Sequence, residues 1–272
     1  MARPLSHRMM SWAGRAAVVA ILGFIILPAI VVAIAAFNDK ALLSFPPEQW
    51  SLRWFYKAVN YRDFQTGFYN GMIVTLWSSC IALVVGSGFA FVLDRYEFNA
   101  KRLIEGLLLA PLVVPHFTVG LGLLILAAQI GATRGFAVVV VCHVILVLPF
   151  VLRSVYISLR NLDQRLELAA ASLGATPTRV TFTVTLPLLL PGLFSGWLFA
   201  AILSLNEFTA SLFVTGQRTQ TLPVAMHNYV REYADPTMAA LSVIFIVATA
   251  ALLTLANMFL GLGKVLNVEQ AR

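Results

Sequence analysis

Six stretches of this chain are long, apolar and almost free of charge: residues 16–37, 71–93, 103–130, 136–152, 188–214 and 238–262. A bilayer's hydrocarbon core is about 30 Å thick, and a helix rising about 1.5 Å per residue crosses it in about 20 residues. Inside that core every backbone N–H and C=O needs a partner within the protein, which narrows the options to helices or a closed barrel. No turn-rich alternation of period two runs through the sequence, so helices remain. The expected fold is all-α, a polytopic membrane protein with about six transmembrane helices. Composition points the same way: 60% of residues are hydrophobic and 11% charged, with a mean hydropathy of +0.85, outside the range of ordinary soluble domains.

The first run follows Arg3, Arg8 and Arg15 and ends near Ala33-Ile34-Ala35, which also resembles a leader-cleavage site. Its uncharged region exceeds the roughly 7 to 15 residues of a leader, so a retained span is the expectation. The net charge of +7 does not point to nucleic acid, because the basic residues flank apolar runs and form no dense block. With six spans, twelve of the nineteen Lys and Arg residues fall on the side of the N-terminus and seven on the other. Positive charge collects on the cytoplasmic face, so both termini are expected in the cytoplasm. The polar segment 38–69 then lies outside, with Ser51 placed to cap a short helix whose Trp54, Phe55 and Tyr56 suit headgroup depth. No extramembrane piece is long enough for an independent domain, so residues 1–272 read as one transmembrane domain. Cys80 and Cys142 lie within apolar runs and read as packing residues.

Residues 161–191 interrupt this hydrocarbon and by the same charge count face the cytoplasm. Asp163 suits a helix N-cap, Glu167 lies in the first turns where the helix dipole favours an anion, and Gly174 stands where a left-handed C-terminal residue is wanted. Thr176 then suits a second cap with Pro177 at the first helical position, and the second helix is expected to run over 177–185. The result is a helix, a sharp bend and another short helix.

No phosphate-binding Gly-Lys loop, no His-Glu-x-x-His and no carboxylate cluster of metal spacing occurs in the sequence. The chain therefore reads as no enzyme and as binding no cofactor of its own. Glu207 is the clear intramembrane ion, beside Asn206 on the fifth run. One reading has both lining a solute path; another has Glu207 in a structural contact with Arg218, Arg231 or a partner. In the third run, Pro111 and Pro115 free backbone carbonyls and favour a kink next to His116, which either lines the path or packs through hydrogen bonds. His143 in the fourth run suits packing better.

Leu168-Ala169-Ala170-Ala171-Ser172-Leu173-Gly174, then Ala175-Thr176-Pro177-Thr178-Arg179, then Thr185-Leu186-Pro187, resemble the cytoplasmic "EAA" signature of permease subunits in binding-protein-dependent ABC importers. Ala169, Ala170, Gly174, Leu186 and Pro187 match the pattern. The family's glutamate position is Leu168 here, with Glu167 one residue earlier, and one residue turns a helical side chain by about 100°, so no specific ion pair carries over. The similarity extends over nearly the whole chain through Ser44-Phe45-Pro46-Pro47, Pro111-Leu112-Val113-Val114-Pro115, Leu148-Pro149-Phe150, Ser204-Leu205-Asn206-Glu207-Phe208, Thr221-Leu222-Pro223 and Asp235-Pro236-Thr237. These segments are similar to the spermidine/putrescine branch, usually its second permease.

The resemblance implies the type I importer fold and a bacterial inner-membrane location. It implies coupling through 161–187, with Glu167, Leu168, Ala169, Ala170, Gly174, Ala175, Pro177, Arg179, Leu186 and Pro187 against a separate ATPase, and a path touched by Pro115, His116, Asn206 and Glu207. Implied partners are a second permease, an ATP-binding subunit dimer holding ATP and Mg, an extracytoplasmic solute-binding protein and membrane lipid, with no nucleic acid. A polyamine leads as solute because Glu207 suits a cation; thiamine, ferric iron, phosphonate and small organic acids belong to the same branch. The rivals are a self-sufficient secondary carrier, against which the lack of an inverted repeat argues, and a membrane scaffold that moves nothing.

Overall fold

The structure, a computed structural model, describes residues 5–41, 46–132 and 135–260. In chain order the helices are α1 (Leu5–Ala35), α2 (Arg53–Asn60), α3 (Arg62–Arg95), α4 (Lys101–Leu109), α5 (His116–Gln129), α6 (Phe136–Arg160), α7 (Gln164–Ser172), α8 (Pro177–Val180), α9 (Leu186–Leu205), α10 (Ser211–Val214), α11 (Leu222–Glu232) and α12 (Thr237–Leu260). The chain forms two compact units, one of Met1–Tyr61 with Asn228–Arg272 and one of Arg62–His227.

In the 62–227 unit, α3, α6 and α9 pack on one another. Val147, Val151, Val155 and Leu159 of α6 meet Ala82 and Ala90 of α3 and Leu189 and Ala200 of α9. Small residues bring these helices close: a Cβ on Gly86 would stand 3.1 Å from Val151, and one on Gly196 3.2 Å from Ser154. The opposite face of α3 leaves Met72, Leu76, Ile81 and Val84 exposed, which is how a helix apolar all round behaves when lipid is its solvent. Cys142 is buried with Val74, Val139 and Ala210, but Cys80 is exposed, so only one cysteine is a packing residue.

Three apolar runs differ from the simple spans expected of them. The run 103–130 is bent by 105° between Lys101–Leu112 and His116–Gln129. Pro115 has no N–H to donate, and its ring disfavours a helical residue before it; its own φ of −56° and ψ of 136° are extended. The second cytoplasmic helix does not stop near residue 185. α8 passes through a π-helical turn, Thr181–Thr185, directly into α9, giving a helix of 29 residues over Pro177–Leu205. The fifth run then ends at Leu205 rather than 214, and Val214 belongs to the separate α10. The last run is α12 as far as Leu260; residues 261–262 lie outside the described residues.

In the other unit α12 packs against α1 and α2. Asn38 pairs with Trp50 in an isolated antiparallel bridge, and Trp54 Nε1 donates to the Asn38 carbonyl at 2.6 Å. Trp54 is 3% exposed, in a core with Ala36 and Ala240, so it is no headgroup anchor. Tyr56 is exposed. Ser51 acts at the start of α2, its Oγ accepting from the Arg53 N–H at 3.2 Å. Lys57 donates to Asp235 at 2.7 Å, and Tyr229 donates to the same carboxylate at 2.9 Å. No residue of the span Gly14–Ala35 is buried within the chain.

Candidate functional site

Two constructions in the 62–227 unit combine polar chemistry with irregular backbone. The first is the hairpin α7–α8. Asp163 caps α7, its Oδ1 accepting from the Arg165 N–H at 3.0 Å. At the other end Gly174 has φ +84°, its N–H donates to the Ala171 carbonyl at 2.9 Å, and the Ala175 N–H donates to the Ala170 carbonyl at 3.1 Å. These two reversed bonds form a Schellman motif, which the left-handed glycine makes possible. Thr176 Oγ1 accepts from the Arg179 N–H at 3.4 Å, with Pro177 in the first turn of α8. A Cβ at Gly174 would meet nothing within 4 Å, so the glycine is needed for its backbone conformation and not for space.

Glu167 faces inward. Its side chain is 14% exposed, whereas Leu168 is 66% exposed, so the one-residue offset from the family pattern puts the carboxylate on the protein side of the helix. Arg95 Nη2, from the last residue of α3, donates to both Glu167 oxygens at 2.6 Å. Thr185 Oγ1, at the end of the π-helical turn, donates to Glu167 Oε1, also at 2.6 Å. The outer side of the hairpin exposes Leu168, Ala169, Leu173, Gly174, Pro177 and Arg179, while Ala170 and Ala175 are half-buried. Leu186 and Pro187 are exposed at the foot of α9. A cavity of about 640 Å³ opens beside Arg95, Glu167, Ala171 and Thr185.

The second construction joins two helix breaks. α9 ends at Asn206, whose exposed side chain donates back to the Ile202 carbonyl at 2.8 Å. Glu207 follows in the break; its Oε1 accepts from the Ala210 N–H at 2.7 Å and its Oε2 meets His116 Nδ1 at 2.7 Å. His116 opens α5 directly after exposed Pro115, so the bend between α4 and α5 delivers the imidazole to the break between α9 and α10. Glu207 is 10% exposed and His116 45% exposed. The glutamate's charge is thus met by a histidine and a backbone N–H, and not by an arginine of the following loop.

Behind this pair lies a buried polar chain. His143 Nδ1 meets Ser204 Oγ and its Nε2 meets Ser211 Oγ, each at 2.8 Å, and Ser204 Oγ lies 2.9 Å from Ser78 Oγ. Ser211 Oγ spends its proton on the Glu207 carbonyl at 3.0 Å. It must therefore accept from His143, which puts the imidazole proton on Nε2 and makes Ser204 the donor to Nδ1. No group of three or more His, Cys, Asp or Glu able to hold a metal occurs among the described residues.

Several of these residues escape sequence reading. Arg95 counts there only as a charge at a helix end, Thr185 and Ser204 only as members of motif segments, and Ser78 and Ser211 not at all. Their roles depend on contacts between segments up to 126 residues apart, as between Ser78 and Ser204.

Comparison with known proteins gives consistent results. Residues 82–262 match the family described as "Binding-protein-dependent transport system inner membrane component". The chain is 32% identical over 238 residues to the putrescine transport system permease protein PotI of Escherichia coli (strain K12), covering 84% of each. It is 29% identical over 236 residues to the spermidine/putrescine transport system permease protein PotC of Haemophilus influenzae (strain ATCC 51907 / DSM 11121 / KW20 / Rd), covering 86% of this chain and 91% of that protein. The fold matches a chain in the crystal structure of a bacterial ABC transporter involved in the import of the acidic polysaccharide alginate, with a TM-score of 0.73 at 14% identity over 95% of this chain and 99% of that one. The chain belongs to the inner-membrane components of binding-protein-dependent transport systems, the multi-pass permease subunits of ABC importers, which carry no ATPase site and work with a separate ATPase and a solute-binding protein.

Proposed function

We propose that this permease passes a polyamine inward across the membrane, driven by an ATPase dimer that docks on α7–α8. The observation that carries the coupling half is the hairpin itself. α7 lies outside the spans, α8 is the first turn of the helix Pro177–Leu205, and the pair is stiffened at Asp163, Gly174 and Thr176 and presents Leu168 at 66% and Leu173 at 89% exposure. Apolar side chains so placed call for a protein partner. Glu167, Leu168, Ala169, Ala170, Gly174, Ala175, Pro177, Arg179, Leu186 and Pro187 then form or support the docking element. ATP and Mg are held by the ATPase, a second similar permease completes the pathway, residues 1–272 act as one permease domain, and both termini are cytoplasmic.

The polyamine half is supported by Glu207, a carboxylate at the junction of two helix breaks whose hydrogen-bond partners among the described residues are His116 and a backbone N–H. The relatives named for putrescine and spermidine point to the same solute class. An ammonium group competes with His116 for that carboxylate, with Asn206 and Pro115 flanking the route. The test is reconstitution with the ATPase, second permease and binding protein, reading labelled putrescine uptake and ATP hydrolysis together. Gly174→Leu is expected to insert normally and allow hydrolysis while abolishing uptake, and Glu207→Gln to lower uptake with the hairpin intact. Normal transport by Gly174→Leu sinks the coupling assignment; normal putrescine uptake by Glu207→Gln sinks the pathway role.

A further inference from the structure

We propose that Arg95 and Thr185 are positioning residues that clamp Glu167 and carry the movement of α7 into the bundle, through α3 on one side and α9 on the other. This rests on the reading of α7–α8 as the ATPase-docking element. The hairpin is joined to α6 by the short link Asn161–Asp163 and to α9 by its own continuation, and neither link ties α7 to α3. Glu167 supplies that tie. Its carboxylate takes both short contacts from Arg95 at the end of α3, while Thr185, buried in the π-helical turn, bonds one of the same oxygens.

The π-helical turn is what aims Thr185. Thr181 and Thr183 donate back along their own helix, to the Pro177 carbonyl at 3.0 Å and the Arg179 carbonyl at 2.6 Å. Thr185 donates outward to Glu167 instead. One extra residue per turn rotates the preceding segment by about 100° relative to α9, so a regular α-helix through 181–185 would move the hairpin and the hydroxyl out of register. Arg95 is itself held from behind, its Nε lying 3.6 Å from Asp94 Oδ2 and its guanidinium over the Phe91 ring at 5.6 Å. A carboxylate held from two packed helices resists a push on α7 from either side, whereas one partner alone would let it pivot.

The experiment uses the assembled importer in liposomes and reads two quantities: ATPase subunit recovered with the chain, and solute moved per ATP hydrolysed. Arg95→Gln and Thr185→Val are expected to recover the ATPase subunit at the unaltered level. Solute per ATP should fall about tenfold for Arg95→Gln, within the range typical of a coupling between two sites, and less for Thr185→Val. The double charge exchange Arg95→Glu with Glu167→Arg should regain at least half of the loss, which a merely local packing role would not produce. An unchanged ratio in both single variants with the ATPase bound overturns the clamp, and so does loss of the ATPase subunit from Arg95→Gln, which assigns the pair to docking or folding. If the unaltered chain recovers no ATPase subunit, the reading of α7–α8 fails and the clamp with it.

Discussion

Replacing Gly120 by alanine puts a methyl group where another chain segment already stands. Gly120 lies in α5 against the break that holds Glu207, and a Cβ there would be 2.7 Å from the Ala210 carbonyl oxygen and 2.8 Å from Ala210 Cα. Both neighbours are backbone, so no rotamer relieves the clash. Ordinary contact begins near 3.4 Å, so α5 must move by about 0.7 Å. Overpacking of this kind costs about 1–3 kcal/mol, and a backbone neighbour puts it near the top of that range. Alanine gains back about 1 kcal/mol as the better helix former, leaving a net loss of about 2 kcal/mol. Gly122, two positions along the same helix, is the control: a Cβ there meets nothing within 4 Å, so its replacement carries the helix gain without the clash. The reporter is already in place, because buried Cys142 packs in one cluster with Ala210 and Val214, while Val119 of α5 packs against it. With Cys80→Ser as background, the Cys142 alkylation rate in detergent should rise about tenfold or more in Gly120→Ala and stay unchanged or fall in Gly122→Ala. The same shift lengthens the 2.7 Å His116–Glu207 contact, so uptake should fall as well. Equal alkylation rates in the two variants would refute this steric account.

Other expectations follow from buried polar contacts. His143→Ala removes one hydrogen bond each from Ser204 and Ser211 and opens a cavity in a site 1% exposed, which should cost about 3 kcal/mol; an unchanged thermal midpoint in detergent contradicts the network. The 1–61/228–272 unit should be acid-sensitive through Asp235. Burial pushes that carboxyl up, but hydrogen bonds from Lys57, Thr237 and Tyr229 outweigh it and hold it below the usual carboxylate range. The stability it contributes is fully present above its unfolded pKa of about 4 and is lost as pH falls through the lower folded value. Asp235→Asn should remove that acid limb from a plot of melting temperature against pH, and an identical limb in the variant would exclude Asp235 as its source. Lys57 is held above the usual lysine range, first by its hydrogen bond to Asp235 and then by that to Tyr229. Its share persists through neutral pH and is lost only as pH rises through that raised value.

Local signals in this chain were readable because their causes are local. Asp163, Gly174, Thr176 and Pro177 cap and bend the hairpin as expected, since a cap or a left-handed residue acts within its own turn. The kink expected from Pro111 and Pro115 is a bend of 105°, also a local effect of missing N–H donors. Where the sequence misleads, a second segment intervenes. Trp54 looks like a headgroup anchor by its apolar and aromatic neighbours, yet the Asn38 carbonyl claims its N–H and draws it into a core. The second hairpin helix is expected to run over 177–185, but a π-helical turn at Thr181–Thr185 carries it on into α9.

The sequence by itself determined that this chain crosses a membrane as helices, that one polar hairpin interrupts them, and that it is an importer permease by motif. Hydrophobic length and turn chemistry are summed along the chain, so no partner segment is needed to read them. Tertiary structure alone decided which way Glu167 faces, that Arg95 and Thr185 hold it, and that His116 and Glu207 meet across 91 residues. A buried carboxylate takes whatever donors the packing of distant helices supplies, and that packing depends on how α3, α6 and α9 fit together, which no stretch of one helix encodes.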